Sequence, residues 1–320
     1  MRRLPPMIAV ALVLAACGGS SGASRSASLV LDFTPNPVHV GIYTALRRGF
    51  DTASGIHLHV IVPSASTDAI KLLETGRAGF AILDIHDLAI ARERGVDVVG
   101  ILPIVERPLA AVIAAPSVTT PRRLDGQTVG VSGDPSDTAV LRSVVAGAGG
   151  RPSTVRTITI GFNAVGDLLA GRVPAATAFW NDEGVTLARR RPGFHVFRVD
   201  AYGAPAYPEL VLCATAAALT THPGLAHAVV DTLVRGYDAA LADPALGQRA
   251  LESRVPGLDH GLDSAELAVL DPAFRGTGGR FGVIDVPLLR RWARWEVRFG
   301  IVDRLPDVSA MFDTRFAPRG

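Results

Sequence analysis

Short apolar runs alternate with amphipathic segments along most of this chain from residue 29 onward. Between Leu29 and Ile101, four apolar runs predict strands, and the segments between them carry apolar residues at helical spacing. A second series of the same kind begins after Pro103 and extends to about residue 214, and the pattern after it is almost wholly helical. Strands that alternate with helices in this way are typical of an α/β fold with largely parallel sheets.

The order of these segments predicts two lobes. One α/β series, a second series and a helical return fit a first lobe that is interrupted by an inserted second lobe, with two chain crossings between them. We place lobe 1 at residues 29–106 and 210–320, and lobe 2 at residues 107–209. A hydrophobic content of 48% over a chain of this length also exceeds what one small core usually takes.

The first 28 residues predict an export signal followed by a tether. A basic start and a short apolar run end in Leu14-Ala15-Ala16-Cys17, which resembles a bacterial lipoprotein signal with its lipobox. By that resemblance residues 1–16 are removed and Cys17 becomes the acylated first residue. The apolar run is shorter than the roughly 20 residues that a membrane helix needs, so the anchor would be lipid. Residues 17–28 predict a flexible tether, and an ordinary cleaved signal peptide is the alternative.

Charge and cysteine content narrow the function classes. The chain has 32 basic and 30 acidic residues, and without the two arginines of the signal its side-chain charge is close to zero. Such a balance gives no electrostatic reason to expect a nucleic-acid partner. Cys213 lies in an apolar run, which predicts a buried free thiol. His57 and His59 share a strand face but have no third ligand at metal spacing, so we predict no metal site.

Three motifs carry a resemblance to a known family. They are Leu-Asp-Phe-x-Pro-Asn-x-x-His-x-Gly-x-Tyr at 31–43, Gly-Phe-Asn at 161–163 and Tyr-Gly-Ala-Pro-Ala-Tyr-Pro-Glu-Leu at 202–210. Together they resemble the substrate-binding lipoproteins of ABC importers for thiamine pyrimidine precursors, within the thiamine-pyrimidine, sulfonate and nitrate type of periplasmic binding proteins. The similarity covers about residues 29–215 in unbroken order.

This resemblance implies a type II periplasmic-binding-protein fold, α/β in class, whose two lobes are joined by a two-crossing hinge. It implies a receptor without catalytic residues or cofactor that closes over a formylaminopyrimidine-like or hydroxymethylpyrimidine-like ligand. The ligand would pass to an ABC permease and its ATPase subunit. We expect a monomer that is lipid-anchored on the extracytoplasmic face of the cell membrane. Because relatives bind riboflavin, sulfonates or nitrate, those ligands stay open.

A fungal branch of the same fold makes the pyrimidine from pyridoxal phosphate held on a lysine. Residues 80–87 of this chain contain no lysine, and the single lysine, Lys71, lies in a predicted helix body. Schiff-base chemistry needs an amine at the site, so the sequence argues against a synthase.

Aromatic side chains at strand ends are the first candidates for contact with a flat heteroaromatic ligand, which needs aromatic faces and a few placed polar groups. We predict that Phe33 and Trp180 stack on the ring, one from each lobe. Core packing is the alternative for Phe33. Tyr202 and Tyr207 straddle the second crossing and either line the cleft or brace it.

Four polar residues are the candidates for the ligand edge. Asn36 offers a donor and an acceptor to an aminopyrimidine, or else serves the turn between two prolines. His39 either contacts the ligand or buttresses the same corner. Glu183 is the predicted charged anchor, with a solvated first-turn glutamate as the alternative, and Asp84 is a second candidate. The loop 132–136 opens a helix and offers backbone N–H groups to an anion, although its aspartate would repel one.

Overall fold

Two five-stranded sheets form the framework of the protein. The computed structural model describes residues 25–65, 67–134, 136–276 and 278–319. The strands within these ranges are β1 (Arg25–Val30), β2 (Ile56–Ile61), β3 (Phe80–Asp84), β4 (Val98–Val105), β5 (Ala110–Ala114), β6 (Thr128–Val131), β7 (Arg156–Thr159), β8 (Ala175–Phe179), β9 (His195–Arg198) and β10 (Leu210–Thr215). The predicted signal peptide, Cys17 and the first part of the tether lie outside the described residues.

The chain passes between the sheets twice. The first sheet has the order β2-β1-β3-β10-β4 and the second the order β7-β6-β8-β5-β9. In each sheet one strand runs antiparallel to both of its neighbours, β10 in the first and β5 in the second. Each of these two strands is the first to follow a crossing of the chain. The predicted α/β fold with two lobes and two crossings is therefore confirmed, while the residue boundaries of the lobes stay a prediction.

Helices cover the sheets and fill the C-terminal third. Those of the described residues are α1 (Val40–Arg48), α2 (Phe50–Ala53), α3 (Asp68–Glu74), α4 (Ile85–Glu93), α5 (Asp137–Gly147), α6 (Ala164–Leu169), α7 (Glu183–Arg190), α8 (Ala216–Thr221), α9 (Pro223–Ala242), α10 (Pro244–Glu252), α11 (His260–Leu270), α12 (Val286–Phe299) and α13 (Val308–Met311). In the ranges given above, no helix combines the length and the apolar composition that crossing a bilayer would require.

The first strand begins earlier than the sequence pattern predicts. Residues 25–28 belong to the predicted tether, but in the structure they lie in β1 and pair in parallel with residues 56–59 of β2. Ala27 is buried and faces the core in step with Leu29. Their serine and alanine composition is that of a linker, and only the pairing with β2 makes them a strand. The assignment of residues 25–28 to a tether is therefore wrong.

Close packing of α1 on α9 explains the glycine of the first motif. A Cβ atom built on Gly41 would lie 2.2 Å from Cγ of Tyr237, whose hydroxyl donates to the carbonyl of Val38 at 2.8 Å. A side chain larger than hydrogen cannot fit at this contact. The glycine therefore fixes how closely the predicted strand-to-helix corner approaches the C-terminal helices.

A cleft between the two lobes

Two adjoining cavities lie where the lobes face each other. The larger measures about 220 Å³ and the smaller about 60 Å³. They share four lining residues, Phe33 and Asp84 from lobe 1 and Asp134 and Phe179 from lobe 2. Because both lobes line each cavity, we treat the two cavities as one site and call it the cleft. A cleft between two hinged lobes is where a ligand can contact both of them.

Aromatic rings from both lobes line the cleft. Phe33 follows β1 and meets Phe162 of lobe 2 edge-on, with ring centroids 4.4 Å apart and an angle of 68° between the planes. Phe179, the last residue of β8, lines both cavities. Phe33 is the one predicted stacking residue that lies here. Phe162 and Phe179 are not among the predicted ligand contacts, although Phe162 is the centre of the Gly-Phe-Asn motif.

The structure does not place Trp180 against the cleft. Its indole Nε1 donates to the carbonyl oxygen of Pro108 at 2.9 Å, and the guanidinium of Arg198 lies 4.3 Å from the ring centroid. Successive side chains at the end of a strand point in opposite directions, so Phe179 and Trp180 cannot both face the ligand. The predicted pair of Phe33 and Trp180 is thus replaced by Phe33 and Phe162, and Trp180 packs beside the first crossing.

Asn36 joins the two lobes and caps its own turn. Its Oδ1 accepts from the backbone N–H of Val38 at 2.8 Å, and its Nδ2 donates to Oδ2 of Asp182 at 3.0 Å. Asp182 belongs to lobe 2, where it precedes α7. Both ends of the amide therefore have protein partners, and Asn36 is absent from the residues that line the cleft. In this closed arrangement the geometry favours the turn alternative, with an added role as a bond between lobes.

His39 is a buttress of the same corner. Its side chain is fully buried, its Nδ1 accepts from the backbone N–H of Asn36 at 3.2 Å, and its Nε2 lies 3.0 Å from Oδ1 of Asp32. Since Nδ1 accepts, Nε2 carries the proton that is donated to Asp32. The structure brings His39 to Asp32 rather than to the cleft, so it supports the buttress alternative.

Glu183 lies at the lobe 2 side of the cleft. Its side chain lines the smaller cavity, and Oε2 accepts from the backbone N–H of Phe179 at 2.9 Å. Burial raises the pKa of Glu183 to about 8, and the neighbouring carboxyl group of Asp182 adds to the effect. Burial likewise raises the pKa of Asp182 to about 6, against the opposing hydrogen bond from Asn36. The predicted anchor is thus a buried group and not a solvated one.

Asp84 lines both cavities from lobe 1. It ends β3 and caps α4, where its Oδ1 accepts from the backbone N–H of His86 at 2.7 Å. Burial raises its pKa well above the ordinary value, and the carboxyl groups of Glu209 and Asp87 raise it further. Asp87 also reaches across the cleft, because its Oδ1 accepts from the backbone N–H of Ser136 at 3.2 Å. These carboxyl groups give the cleft an acidic rim.

In the loop 132–136, the N–H groups predicted to be available to an anion donate to side chains of the protein instead. Oδ2 of Asp137 accepts from the backbone N–H groups of Gly133 and Asp134 at 2.8 and 3.1 Å and from the hydroxyl of Ser132 at 2.9 Å. The N–H of Ser136 donates to Asp87, as described above. An internal carboxylate therefore already occupies the donors that the loop would offer to an anionic ligand.

Tyr202 and Tyr207 brace the second crossing. Tyr207 is fully buried, and its hydroxyl lies 3.1 Å from Nε2 of His86. The ring of Tyr202 meets Phe197 edge-on, with centroids 6.1 Å apart. Neither tyrosine is among the residues that line the cleft. Of the two alternatives for this pair, the structure supports bracing.

Glu209 ties the two crossings together. It immediately precedes β10, and its Oε2 accepts from the backbone N–H groups of Leu109 and Ala110 at the first crossing, the latter at 3.1 Å. Asp84, His86 and Glu209 also bring potential metal-ligand atoms within 4.8 Å of one another. Both ring nitrogens of His86 already have protein partners, Tyr207 and the carboxylate of Glu296, so we do not assign a metal to this group.

Comparison with known proteins places this framework in a family. The family described as NMT1/THI5 like matches residues 36–246. The chain belongs to the NMT1/THI5-like family. This confirms the family that the three sequence motifs predicted. Membership alone does not decide between binding and synthesis, because proteins of both kinds are found among the relatives of this NMT1/THI5-like chain.

Two relatives and one solved structure illustrate the kinds of protein to which this chain is similar. The formylaminopyrimidine-binding protein of Halalkalibacterium halodurans is 26% identical over 296 residues, which are 89% of each chain. The 4-amino-5-hydroxymethyl-2-methylpyrimidine phosphate synthase of Uromyces fabae is 25% identical and covers 68% of this chain and 67% of its own. The alkanesulfonate-binding protein SsuA from Xanthomonas axonopodis pv. citri, solved with bound MOPS, superposes with a TM-score of 0.72 at 14% identity, covering 92% of this chain and 99% of its own. The last similarity shows a shared fold.

Proposed function

We propose that this protein is the solute-binding component of an ABC importer and that it binds an aminopyrimidine precursor of thiamine without chemical change. The observation that carries the proposal is the alignment with the formylaminopyrimidine-binding relative over 89% of both chains. The cleft supports it, because Phe33, Phe162 and Phe179 offer aromatic faces while the carboxyl rim offers acceptors to amino groups.

The size of the cleft favours a single-ring ligand. Its two cavities measure about 220 and 60 Å³, whereas sites for drug-sized ligands usually span about 300–1,000 Å³. A substituted pyrimidine fits this space. Riboflavin, with three fused rings and a sugar chain, requires more space than the closed lobes leave.

The charge of the cleft argues against the anionic alternatives. A sulfonate or nitrate needs unoccupied N–H donors or a cation, and the donors of residues 132–136 are bound to Asp137 and Asp87. Carboxyl groups at the same place would repel an anion. An aminopyrimidine instead brings donors to acceptors.

Catalysis by the single lysine is the second candidate function, because Lys71 lines the larger cavity. Its Nζ is exposed and donates to Oγ1 of Thr67 at 2.7 Å. Schiff-base chemistry needs an amine directed at the substrate, whereas this amine faces solvent and Thr67, so we propose that the protein is not an enzyme. Added pyridoxal phosphate should then give no absorbance band of a lysine-bound cofactor, and a band that Lys71→Arg abolishes would reverse this conclusion.

Contacts between the lobes indicate how binding is transmitted. The Asn36–Asp182 and Ser136–Asp87 hydrogen bonds and the Phe33 ring join the lobes in the closed arrangement. A ligand that touches both lobes adds to these contacts and shifts the population toward closure. We propose that the closed form docks on a permease with a separate ATPase subunit. Cys17 would hold the monomer by lipid on the extracytoplasmic face of the membrane.

The test is a calorimetric panel on the purified protein. The ligands are formylaminopyrimidine, 4-amino-5-hydroxymethyl-2-methylpyrimidine, riboflavin, MOPS and nitrate. We expect binding of the aminopyrimidines alone, and a loss of about tenfold or more in Glu183→Ala because the polar edge of the ligand loses its partner. Asp231→Asn, an exposed change on α9, is the matched control. Binding of MOPS or nitrate without binding of any pyrimidine would overturn the proposal.

A further inference from the structure

Carboxyl groups from both lobes face each other across the cleft. Asp84 and Asp87 line it from lobe 1, and Asp134, Asp137 and Glu183 line it from lobe 2. In the smaller cavity, each acidic or basic side chain that the structure describes is a carboxyl group. The ligand therefore meets acids on two sides, and its own charge decides whether the lobes can close on it.

The basic side chains described at the cleft lie at the larger cavity. Lys71 and Arg94 line it together with the acids Asp32 and Glu74. Both cations are exposed to solvent. Exposed charges are screened by water and contribute little to a buried neighbour. Neither cation therefore balances the acids of the smaller cavity.

Neutral donors hold the facing carboxyl groups in place. Asp137 accepts from Oγ1 of Thr177 at 2.7 Å and from Oγ of Ser132 at 2.9 Å, and Asp87 accepts from the backbone N–H of Ser136 at 3.2 Å. Such donors orient a carboxylate, but they bring no positive charge to it. For Asp87, Asp137 and Glu183, the hydrogen bonds of the described residues thus leave the negative charge to be balanced by the ligand or by bound protons.

The elements packed around the cleft add further titratable groups. Glu209, beside the start of β10, faces Asp84, and Asp182 precedes Glu183 at the start of α7. His86 on α4 lies behind this group and is held by the carboxylate of Glu296. On the lobe 1 side of the cleft these carboxyl groups thus outnumber the imidazole of His86. The groups that lobe 2 adds here are also carboxyl groups.

The pKa values of these acids respond to that crowding. Burial raises the pKa of Asp84 and of Asp87 well above the ordinary value, and burial raises the pKa of Glu183 to about 8. In each case a neighbouring carboxyl group is the second cause. If the lobes closed without a ligand, these acids would therefore have to take up protons, and a cationic ligand removes that requirement.

We infer that the cleft binds its ligand as a cation, and that a 4-aminopyrimidine enters with one ring nitrogen protonated. This inference rests on the proposed function. The protonated ring N–H and the adjacent amino group present two parallel donors, which match the two oxygens of a carboxylate. The proton comes from solvent and forms one new N–H bond. At a pH above the pKa of the free ring, binding therefore takes up a proton.

Two measurements on 4-amino-5-hydroxymethyl-2-methylpyrimidine test this. Calorimetry at pH 8 in phosphate and in Tris, whose heats of ionisation differ, should show net proton uptake, with affinity that falls toward tenfold per pH unit above the pKa of the ring. Ultraviolet difference spectra at pH 8 should show the protonated ring. The spectrum decides where the proton resides, because protonation of a protein carboxyl group leaves the ring spectrum unchanged.

Variants of single acids identify the carboxyl groups that bind the protonated ring. Asp84→Asn keeps an N-cap for α4 and removes one charge, so the fold should persist while affinity falls about tenfold or more. Asp231→Asn should behave as the wild type. A neutral spectrum of the bound ring at pH 8 would overturn the inference and leave the proposed function standing. Failure of every pyrimidine to bind would overturn both.

Discussion

Replacing Asn36 by aspartate isolates the hydrogen bond that joins the two lobes. In the wild type, Oδ1 of Asn36 caps the turn through Val38 while Nδ2 donates to Asp182. Asn36→Asp keeps the capping oxygen and turns the donor into a second acceptor. A hydrogen bond to a charged group contributes about 1.5–3 kcal/mol. Because this bond is only partly buried, we take the lower limit, which corresponds to a loss of about tenfold in ligand affinity.

Two further variants separate closure from folding. Asn36→Asp combined with Asp182→Asn exchanges donor and acceptor across the same gap, so most of the affinity should return. Asn36→Ala loses the cap as well, and its free energy of unfolding should fall by about 1 kcal/mol more than that of Asn36→Asp. Calorimetry with 4-amino-5-hydroxymethyl-2-methylpyrimidine and urea denaturation provide the two readouts.

The pH dependence gives an independent check. The pKa of Asp182 is raised to about 6 by burial, and the hydrogen bond from Asn36 acts in the opposite direction. Without that donor the pKa rises further, and below it the protonated carboxyl of Asp182 donates to the new carboxylate. The defect of Asn36→Asp should therefore be smaller at pH 5 than at pH 7.5. Wild-type affinity of Asn36→Asp at pH 7.5 would show that this bond does not stabilise the closed state.

Three other changes follow from packing, burial and the crossings. Gly41→Ala places a methyl group 2.2 Å from the ring of Tyr237, so urea denaturation should show a loss of about 3 kcal/mol or more, whereas Gly278→Ala, with open space around it, should change little. Burial raises the pKa of Glu266 to about 9. The stability that the protonated Glu266 contributes is therefore complete below the pKa of the unfolded state and is lost as the pH rises toward 9. Glu266→Gln should flatten the fall in Tm between pH 5 and 9. Glu209→Ala frees two N–H groups at the first crossing and should weaken both folding and ligand binding, while Glu209→Gln keeps an acceptor oxygen and should restore most of each.

Each of these expectations can fail in a distinct way. A Gly41→Ala variant as stable as Gly278→Ala would mean that α1 and α9 can move apart at low cost. An unchanged pH profile in Glu266→Gln would assign the alkaline loss of Tm to other acids. Equal defects in Glu209→Ala and Glu209→Gln would show that the charge of Glu209, and not its acceptor oxygen, matters at the crossing.

Periodicity was sufficient to predict the fold because buried strands such as β4 and β5 are continuous apolar runs, whereas helices such as α1 bury only part of their surface. The alternating series, its interruption and its helical return predict two α/β lobes and two crossings. The prediction is wrong at residues 25–28. Their composition indicates a linker, and they form a strand only because they pair in parallel with β2. Strand limits that depend on a partner elsewhere in the chain cannot be read from local pattern.

The candidate site was predicted in part. Phe33, Asp84 and Glu183 line the cleft, because residues that follow the carboxyl ends of strands gather at one edge of each sheet and both edges border the cleft. Trp180 is turned away from the cleft by the alternation that directs Phe179 into it. Which of two successive side chains faces the cleft depends on the residue at which the strand ends, and a shift of one residue reverses the outcome.

The alkanesulfonate-binding protein shares the fold of this chain, but the ligand that we propose for this chain is not an anion. A strand followed by a helix N-terminus ordinarily presents N–H donors to an anion. Here the carboxyl group of Asp137 accepts hydrogen bonds from the N–H groups of Gly133 and Asp134, so a side chain of the protein takes the place of a bound anion. With its donors used, the corner presents carboxyl groups, and Asp84 and Asp87 face it from the other lobe. In the function that we propose, this corner therefore favours a donor-rich or positively charged ligand, because Asp137 at the start of α5 uses the N–H donors and the facing acids add negative charge.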